Sequence, residues 1–403
     1  MISPDRLEPD EHDWLIAPAT RRVIAALEAA EPHSARFVGG CVRNALLRQP
    51  VDDIDIATTL VPERAAEALK AAGIAVHETG IAHGTLTAVA DHQPFEITTL
   101  RRDVSTDGRR ATVAFTIDWA EDARRRDFTL NAIYAEPDGT LIDYASGVED
   151  ALHRRILFIG RPEDRIAEDY LRILRFFRFF AWYGHGEPDP DALAACAAMK
   201  DGLARLSPER VWKETKKLLA AEDPRAALAA MDETGVMTAL YGPLDRTRLD
   251  RLVEMGEADA FLRFLALCPD HAAGETLAQG MKMSNAEKDR LRTALDPDFA
   301  VAVIHDWQTR AGLEKLVYRK GNQAVADRLA LNFASQETPP ESWGGALAHA
   351  RSFTPPVFPV AGVDLLAAGM EKGPQLGETL TRLEDRWAES RFALTKGELL
   401  KTL

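Results

Sequence analysis

The stretch VDDIDIATTL at residues 51–60 decides how the first part of this chain is read. In an extended strand, residues two apart point to the same side. Asp53 and Asp55 therefore face one way, and Ile54 and Ile56 face the other. Working outward, PFEITTL at 94–100 repeats the pattern, with Glu96 between the apolar Phe95 and Ile97. Three carboxylates on one face of a sheet repel each other unless a hard cation neutralises them. Mg²⁺ takes oxygen ligands and leaves positions open for phosphate and water. Such a site suits two-metal phosphoryl or nucleotidyl transfer. The alternative for Asp53 and Asp55 is a solvated strand edge, although Asp is depleted in strands.

Upstream, FVGGCVRN at 37–44 runs from an apolar pair through Gly39 and Gly40 into a helical pattern. A strand that turns through two glycines into a helix start presents backbone N–H groups suited to anions. Arg43 adds a positive charge one turn in. A triphosphate held at Gly39, Gly40 and Arg43 would lie about ten residues upstream of the carboxylates at Asp53 and Asp55.

The chain's 403 residues are 46% hydrophobic and 28% charged, which is ordinary for a protein of two or more domains. No apolar run approaches the roughly 18 residues of a membrane span. The opening MISPDRLEPDEHDW is acidic, unlike a secretory leader. Three cysteines, Cys41, Cys196 and Cys268, lie far apart, which points to a reducing compartment, the cytoplasm, rather than a disulfide framework. A net charge of −14 argues against a general nucleic-acid binder. Local charge argues otherwise: Arg124–Arg126, His153–Arg155, Arg161, Arg165, Arg172, Arg175, Arg178, Arg210, Lys213, Lys216 and Lys217 crowd one stretch. Solvated helix faces would explain them. Following a metal site, a basic corridor for an RNA strand explains them better.

Residues 11–31 read as one helix, with Trp14, Leu15, Val23, Ile24 and Leu27 at helical spacing. Residues 35–145 alternate short β-like runs with turns, interrupted by one helix at VPERAAEALKAAG, where Pro62 sits near the start. From about 149 the strands stop, and the remainder reads as helical. SQETPPESWGG at 335–345 is loop-rich, and His305-Asp306 is a lone HD pair best read as helix surface.

The ordered set GG-x-V-R, D-x-D and E-I-T-T-L resembles the nucleotidyltransferases that add CCA to tRNA and their bacterial poly(A) polymerase relatives. RRDFTLNAIY at 125–134 resembles that family's ribose-recognition motif. RPEDRIAEDYLRILRFFRFF at 161–180 resembles its base-recognition helix, and LSPERVWKETKKLL at 206–219 the helix that follows. The polar segment RRDVSTDGRRATVAF at 101–115 resembles the flexible loop used in switching from C to A addition. Two departures stand out: Asn44 where the family usually has Asp, and Arg48-Gln49 where it usually has Gly.

The resemblance implies an α/β nucleotidyltransferase head followed by a mostly α-helical neck, body and tail. An N-terminal helix at 1–34 would precede a head at 35–148, a neck at 149–220 and a tRNA-binding body and tail at 221–403. The implied reaction is attack by a tRNA 3′-hydroxyl on the α-phosphate of CTP or ATP. Asp53 and Asp55 would hold Mg²⁺, and Glu96 would serve as third catalytic carboxylate. Gly39, Gly40, Arg43, Arg126, Asp127, Asp169, Arg172, Arg175 and Arg178 would bind the nucleotide. Arg126 can donate to phosphate, Asp127 can accept from a ribose hydroxyl, and Asn131 would support them.

Base choice follows from hydrogen-bond pattern. Cytosine and adenine each present an amino donor beside a ring-nitrogen acceptor, whereas uracil and guanine present the reverse. An Asp169–Arg172 pair, three apart on one helical face, fits the first two and rejects the others. An ordinary helix salt bridge is the alternative. Arg210 and Glu214, four apart, read as a structural pair, and the phenylalanines of 176–180 as core. The rival activities are poly(A) polymerisation and A-only addition; GIAHGTLTAVA at 80–90 lacks the polymerase branch's basic run. A non-catalytic tRNA-binding protein is the rival from another class.

Overall fold

The computed structural model describes residues 5–81, 84–107 and 110–403. Ala82 and His83 of the 80–90 stretch, and Gly108 and Arg109 of the 101–115 segment, lie outside the described residues. The chain divides into two compact units, Met1–Gly242 and Pro243–Leu403.

The first unit opens with α1 (Asp13–Ile16) and α2 (Pro18–Ala30). The single helix expected over 11–31 is broken because Ala17 precedes a proline, which disfavours the helical region, and it takes φ −54° and ψ 138°. A seven-stranded sheet follows, built from β1 (Ala35–Val38), β2 (Ile54–Thr58), β3 (Ala75–Gly80), β4 (Thr85–Ala90), β5 (Gln93–Thr99), β8 (Ile133–Ala135) and β9 (Leu141–Asp143). Its spatial order is β3-β4-β5-β2-β1-β8-β9. Within it β2 and β5 run parallel, with Ile54 opposite Phe95 and Asp55 opposite Glu96. Ile54, Ile56, Phe95 and Ile97 are buried, while Asp55 is half-buried and Glu96 exposed. The alternation in the sequence thus sets which side of each strand enters the core. The glycine turn leads from β1 into α3 (Gly40–Leu46), and α4 (Pro62–Ala71) packs on α2.

Where the sequence suggests a loop at 101–115, β6 (Arg101–Asp107) and β7 (Arg110–Phe115) form an antiparallel ladder of their own, from Arg101↔Phe115 to Asp107↔Arg110. A short helix, α5 (Trp119–Arg124), returns the chain to the sheet.

Beyond β9 the chain is helical: α6 (Gly147–Leu152), α7 (Pro162–Glu168), α8 (Leu171–Tyr183), α9 (Pro190–Met199), α10 (Pro208–Leu219), α11 (Arg225–Glu233) and α12 (Val236–Tyr241). The helix expected across 161–180 is two helices. Asp169 is extended (φ −155°, ψ 108°), and its carboxylate accepts the Leu171 N–H at 3.1 Å. An Asp that satisfies an open helix start by its own side chain favours a break over continuation. Tyr170 then lies flat over Gly202, where an added Cβ would stand 1.9 Å from the ring. Helix α8 packs between α10 and α11.

The second unit is helical from Thr247 onward, with a loop at 335–342. Val360, Leu365, Leu383, Trp387 and Leu399 form the core of its last part. No helix among the described residues is long and apolar enough to cross a membrane.

Candidate active site

A cavity of about 470 Å³ opens in the first unit. It gathers Gly39, Gly40, Arg43, Asp55, Arg126, Asp127, Asp169, Arg172, Arg175 and Arg178, all singled out in the sequence. It adds Arg125, Asn131, Phe179 and Arg210. Asp53 and Glu96 do not line it. Asp53 is exposed one residue before β2, and Glu96 stands beside Asp55 on the neighbouring strand.

Gly39 takes φ +71°, a conformation that glycine adopts without strain. A Cβ there would lie 3.7 Å from Arg126 Nη1 and 3.9 Å from Asp55 Oδ2; one on Gly40 would lie 3.8 Å from the same oxygen and 3.9 Å from Arg43 Nη2. The turn is thus the floor on which a carboxylate and two guanidiniums converge. The helix it starts has seven residues, GCVRNAL, so its macrodipole adds little.

Burial, with Glu96 and Asp53 acting the same way, raises the Asp55 carboxyl to about 6, after Arg126 and Arg43 offset part of the rise. A carboxyl destabilised as an anion by two more carboxylates has a donor set suited to a divalent cation. Among the described residues, no three His, Cys, Asp or Glu side chains are gathered tightly enough to cage a cation unaided. The neighbouring Cys41 thiol, buried, is pushed up to about 12 and is inert.

Asp122, which the sequence reading passed over, organises one wall. It accepts from Arg125 Nε at 2.8 Å, Arg126 Nη2 at 3.1 Å and the Tyr134 hydroxyl at 2.7 Å. Burial would raise this carboxyl, but Arg126 and Arg125 hold it down at about 2. Its position three and four residues before Arg125 and Arg126 was the available signal. Asp127 is buried too. It accepts from Asn131 Nδ2 at 3.1 Å and from Arg175 Nε at 2.6 Å, which hold it at about 2 against the same burial penalty. Asn131 passes the network on, since its Oδ1 accepts from Arg43 Nη1 at 2.7 Å.

Helical spacing offered two ion pairs, the expected Arg210–Glu214 and the alternative Asp169–Arg172, and the structure makes neither. Asp169 does not pair with Arg172; its Oδ2 meets Arg210 at 2.6 Å. Arg172 bonds instead to Glu168 and to the carbonyls of Arg165 and Arg125. Glu214 pairs not with Arg210 but with Arg178, at 2.6 Å. The helix break at Asp169 turns its side chain toward α10, and two ion pairs then join α10 to the α8 side. Phe179 is core, as expected, yet Arg178 lies 4.3 Å from its ring centroid, so the ring also backs the guanidiniums.

The two departures from the family pattern gain a physical account. The Asn44 amide accepts from Arg43 Nε at 3.2 Å and Nη2 at 2.8 Å, and donates to the Pro50 carbonyl at 2.8 Å. An Asp could accept but not donate. Arg48, after the end of α3, takes φ +54°, the left-handed position that glycine fills at helix ends.

Sequence comparison gives the class. Residues 35–157 match the poly A polymerase head domain, and residues 187–244 match the probable RNA and SrmB-binding site of polymerase A. Over almost the whole length, the chain is 35% identical to the mitochondrial CCA tRNA nucleotidyltransferase 1 of Danio rerio, across 91% of this chain and 86% of that one. It is 32% identical to the CCA-adding enzyme of Limosilactobacillus fermentum, across 94% and 95%. The crystal structure of the Bacillus stearothermophilus CCA-adding enzyme in complex with CTP superposes with a TM-score of 0.74 at 27% identity, over 93% of this chain and 94% of that chain. The chain belongs to the family of CCA-adding tRNA nucleotidyltransferases.

Proposed function

We propose that this protein adds C, C and A to the 3′ end of tRNA, using CTP and ATP and releasing pyrophosphate. The observation that carries the reading is the single cavity shared by the glycine turn, Asp55 and the neck residues Asp169, Arg172, Arg175 and Arg178. A nucleotide there would have its triphosphate at the turn and its base against α8. Arg126 and Arg43 would hold the phosphates. Asp127, anionic and fixed by Arg175, would accept from the ribose hydroxyls, and Asp169 would read the exocyclic amine. Glu96 would position or deprotonate the attacking 3′-hydroxyl.

Asp53 and Asp55 would hold Mg²⁺, which when bound neutralises the triphosphate and lowers the pKa of the attacking hydroxyl. In domain terms, residues 1–34 would brace the head at 35–148, 149–220 would be the base-reading neck, and 221–403 the tRNA-gripping body and tail. Three buried, free cysteines support a cytoplasmic setting. The test offers purified protein three tRNAs, ending before CCA, at C and at CC, with each nucleoside triphosphate alone and together. Addition that stops after CCA is expected. A ladder of tens of adenosines would assign poly(A) polymerase instead, and extension of the CC-ended tRNA alone would assign A-only addition.

A further inference from the structure

Helix α8 carries a polar stripe. Arg172, Arg175 and Arg178 are half-buried and line the cavity, while the phenylalanines between them are buried. Trp182 continues the same face, four residues past Arg178 and seven past Arg175, so it lies about 6 Å further along the axis than Arg178. Unlike the core aromatics around it, Trp182 is 41% exposed. Its indole N–H donates to the Lys217 carbonyl at 2.7 Å, so the ring's position is fixed by its edge. On α10, Lys217 is exposed beside it, and Lys213 is exposed one turn before Lys217. Partial burial and then the charges of Arg178, Lys213 and Arg175 depress the Lys217 ammonium, against the opposing pull of Glu214. A large aromatic thus sits at the outer end of a row of guanidiniums, with the exposed ammonium-bearing Lys213 and Lys217 on the neighbouring helix.

We propose that Trp182 is a stacking platform for an unpaired nucleotide of the RNA acceptor strand, one or two steps back from the end being extended, with Lys213 and Lys217 neutralising its phosphates. The proposal rests on the nucleotide reading of the cavity and names a subsite for the second substrate. The spacing fits: about 6 Å along the helix spans one to two nucleotide steps of a stacked strand. Base-on-aromatic stacking is indifferent to which base is presented. That suits a strand whose last bases change as C and then A are added. Aromatic side chains and basic groups in alternation form the usual platform for single strands.

The experiment compares Trp182→Ala and Trp182→Phe with wild type. Phe keeps a stacking face but cannot donate to Lys217, so the pair separates stacking from the structural hydrogen bond. The substrates are acceptor-arm hairpin RNAs carrying one, two or three unpaired 3′ nucleotides. The Ala variant is expected to raise the KM for RNA by about 5- to 100-fold, with the KM for CTP within twofold of wild type. The Phe variant is expected to recover most of that loss. Quenching of tryptophan fluorescence by a short single-stranded oligonucleotide, measured without nucleotide, should be larger in wild type than in Trp182→Phe. An RNA KM within twofold of wild type for the Ala variant would overturn the proposal. So would a Phe variant as weak as Ala, or a loss that falls on CTP. The fluorescence titration does not depend on which nucleotides wild type adds, so failure of the CCA assignment is read separately.

Discussion

Asp169→Ala tests the base-reading arrangement, and the structure supplies its two costs. Its Oδ2 pairs with Arg210 at 2.6 Å, but the two side chains are 26% and 33% exposed, so solvent screening limits the pair to about 1 kcal/mol at most. Its Oδ1 accepts the Leu171 N–H at the start of α8, a hydrogen bond worth about 1 kcal/mol. The variant should therefore lose about 2 kcal/mol and about 4–8 °C in Tm, which leaves it folded. Selectivity should fall further than stability. A base amine left without its acceptor in a desolvated site costs about 1–3 kcal/mol. That converts to roughly a 5- to 150-fold loss of preference for CTP and ATP over UTP and GTP. CTP and ATP should suffer together, because both offer the same donor–acceptor pattern. The assay is single-nucleotide incorporation with each triphosphate in parallel, with Arg210→Ala as control. The control removes the same ion pair but keeps the carboxylate, so it should lose stability and retain selectivity. Unchanged selectivity in Asp169→Ala, alongside the expected drop in Tm, would show that another group or the RNA itself reads the base.

Further expectations concern the carboxylates and the helix end. Asp53→Ala and Asp55→Ala should stay folded and lose turnover, with Glu96→Ala affected less completely; near-wild-type incorporation by Asp55→Ala with Mg²⁺ would remove the site. Asp55 is raised to about 6, so its contribution is fully present below the ordinary value of 3.8 and lost as pH rises through 6. Asp55→Asn should then raise Tm at pH 8 in metal-free buffer, by the equivalent of about 2–3 kcal/mol, and should lose the Mg²⁺-induced Tm increase expected of wild type. Asp122 and Asp127 are lowered to about 2, so each adds about 2 kcal/mol that is present above pH 3.8 and lost as pH falls through 2. Urea midpoints measured from pH 5 down to 2 should fall in wild type and fall less steeply in Asp122→Asn. Arg48→Gly should stabilise the protein by about 1 kcal/mol by relieving the left-handed φ, readable as a higher urea midpoint; a lower midpoint would mean that the arginine side chain contributes more than its backbone costs.

The sequence by itself determined the strands that carry the carboxylates and the face each residue takes. Alternation is a local property: with a period of two, Ile54, Ile56, Phe95 and Ile97 could not enter the core without Asp55 and Glu96 leaving it. The glycine turn was legible for the same reason, since a left-handed φ at Gly39 is a demand on one residue. Only the tertiary structure decided which carboxylate each arginine meets. Spacing along a helix pointed to Asp169 with Arg172 and Arg210 with Glu214, but the chain breaks at Asp169, and its partner is Arg210, 41 residues on. Arg175 crosses 48 residues to Asp127, and Arg178 crosses 36 to Glu214. Charge pairing is set by distance in space and by the desolvation that burial imposes, and neither is encoded in the local period of a sequence. Packing alone also fixed the burial of Asp122, the opposed bonds of Asn44, and the exposure of Trp182 among buried aromatics.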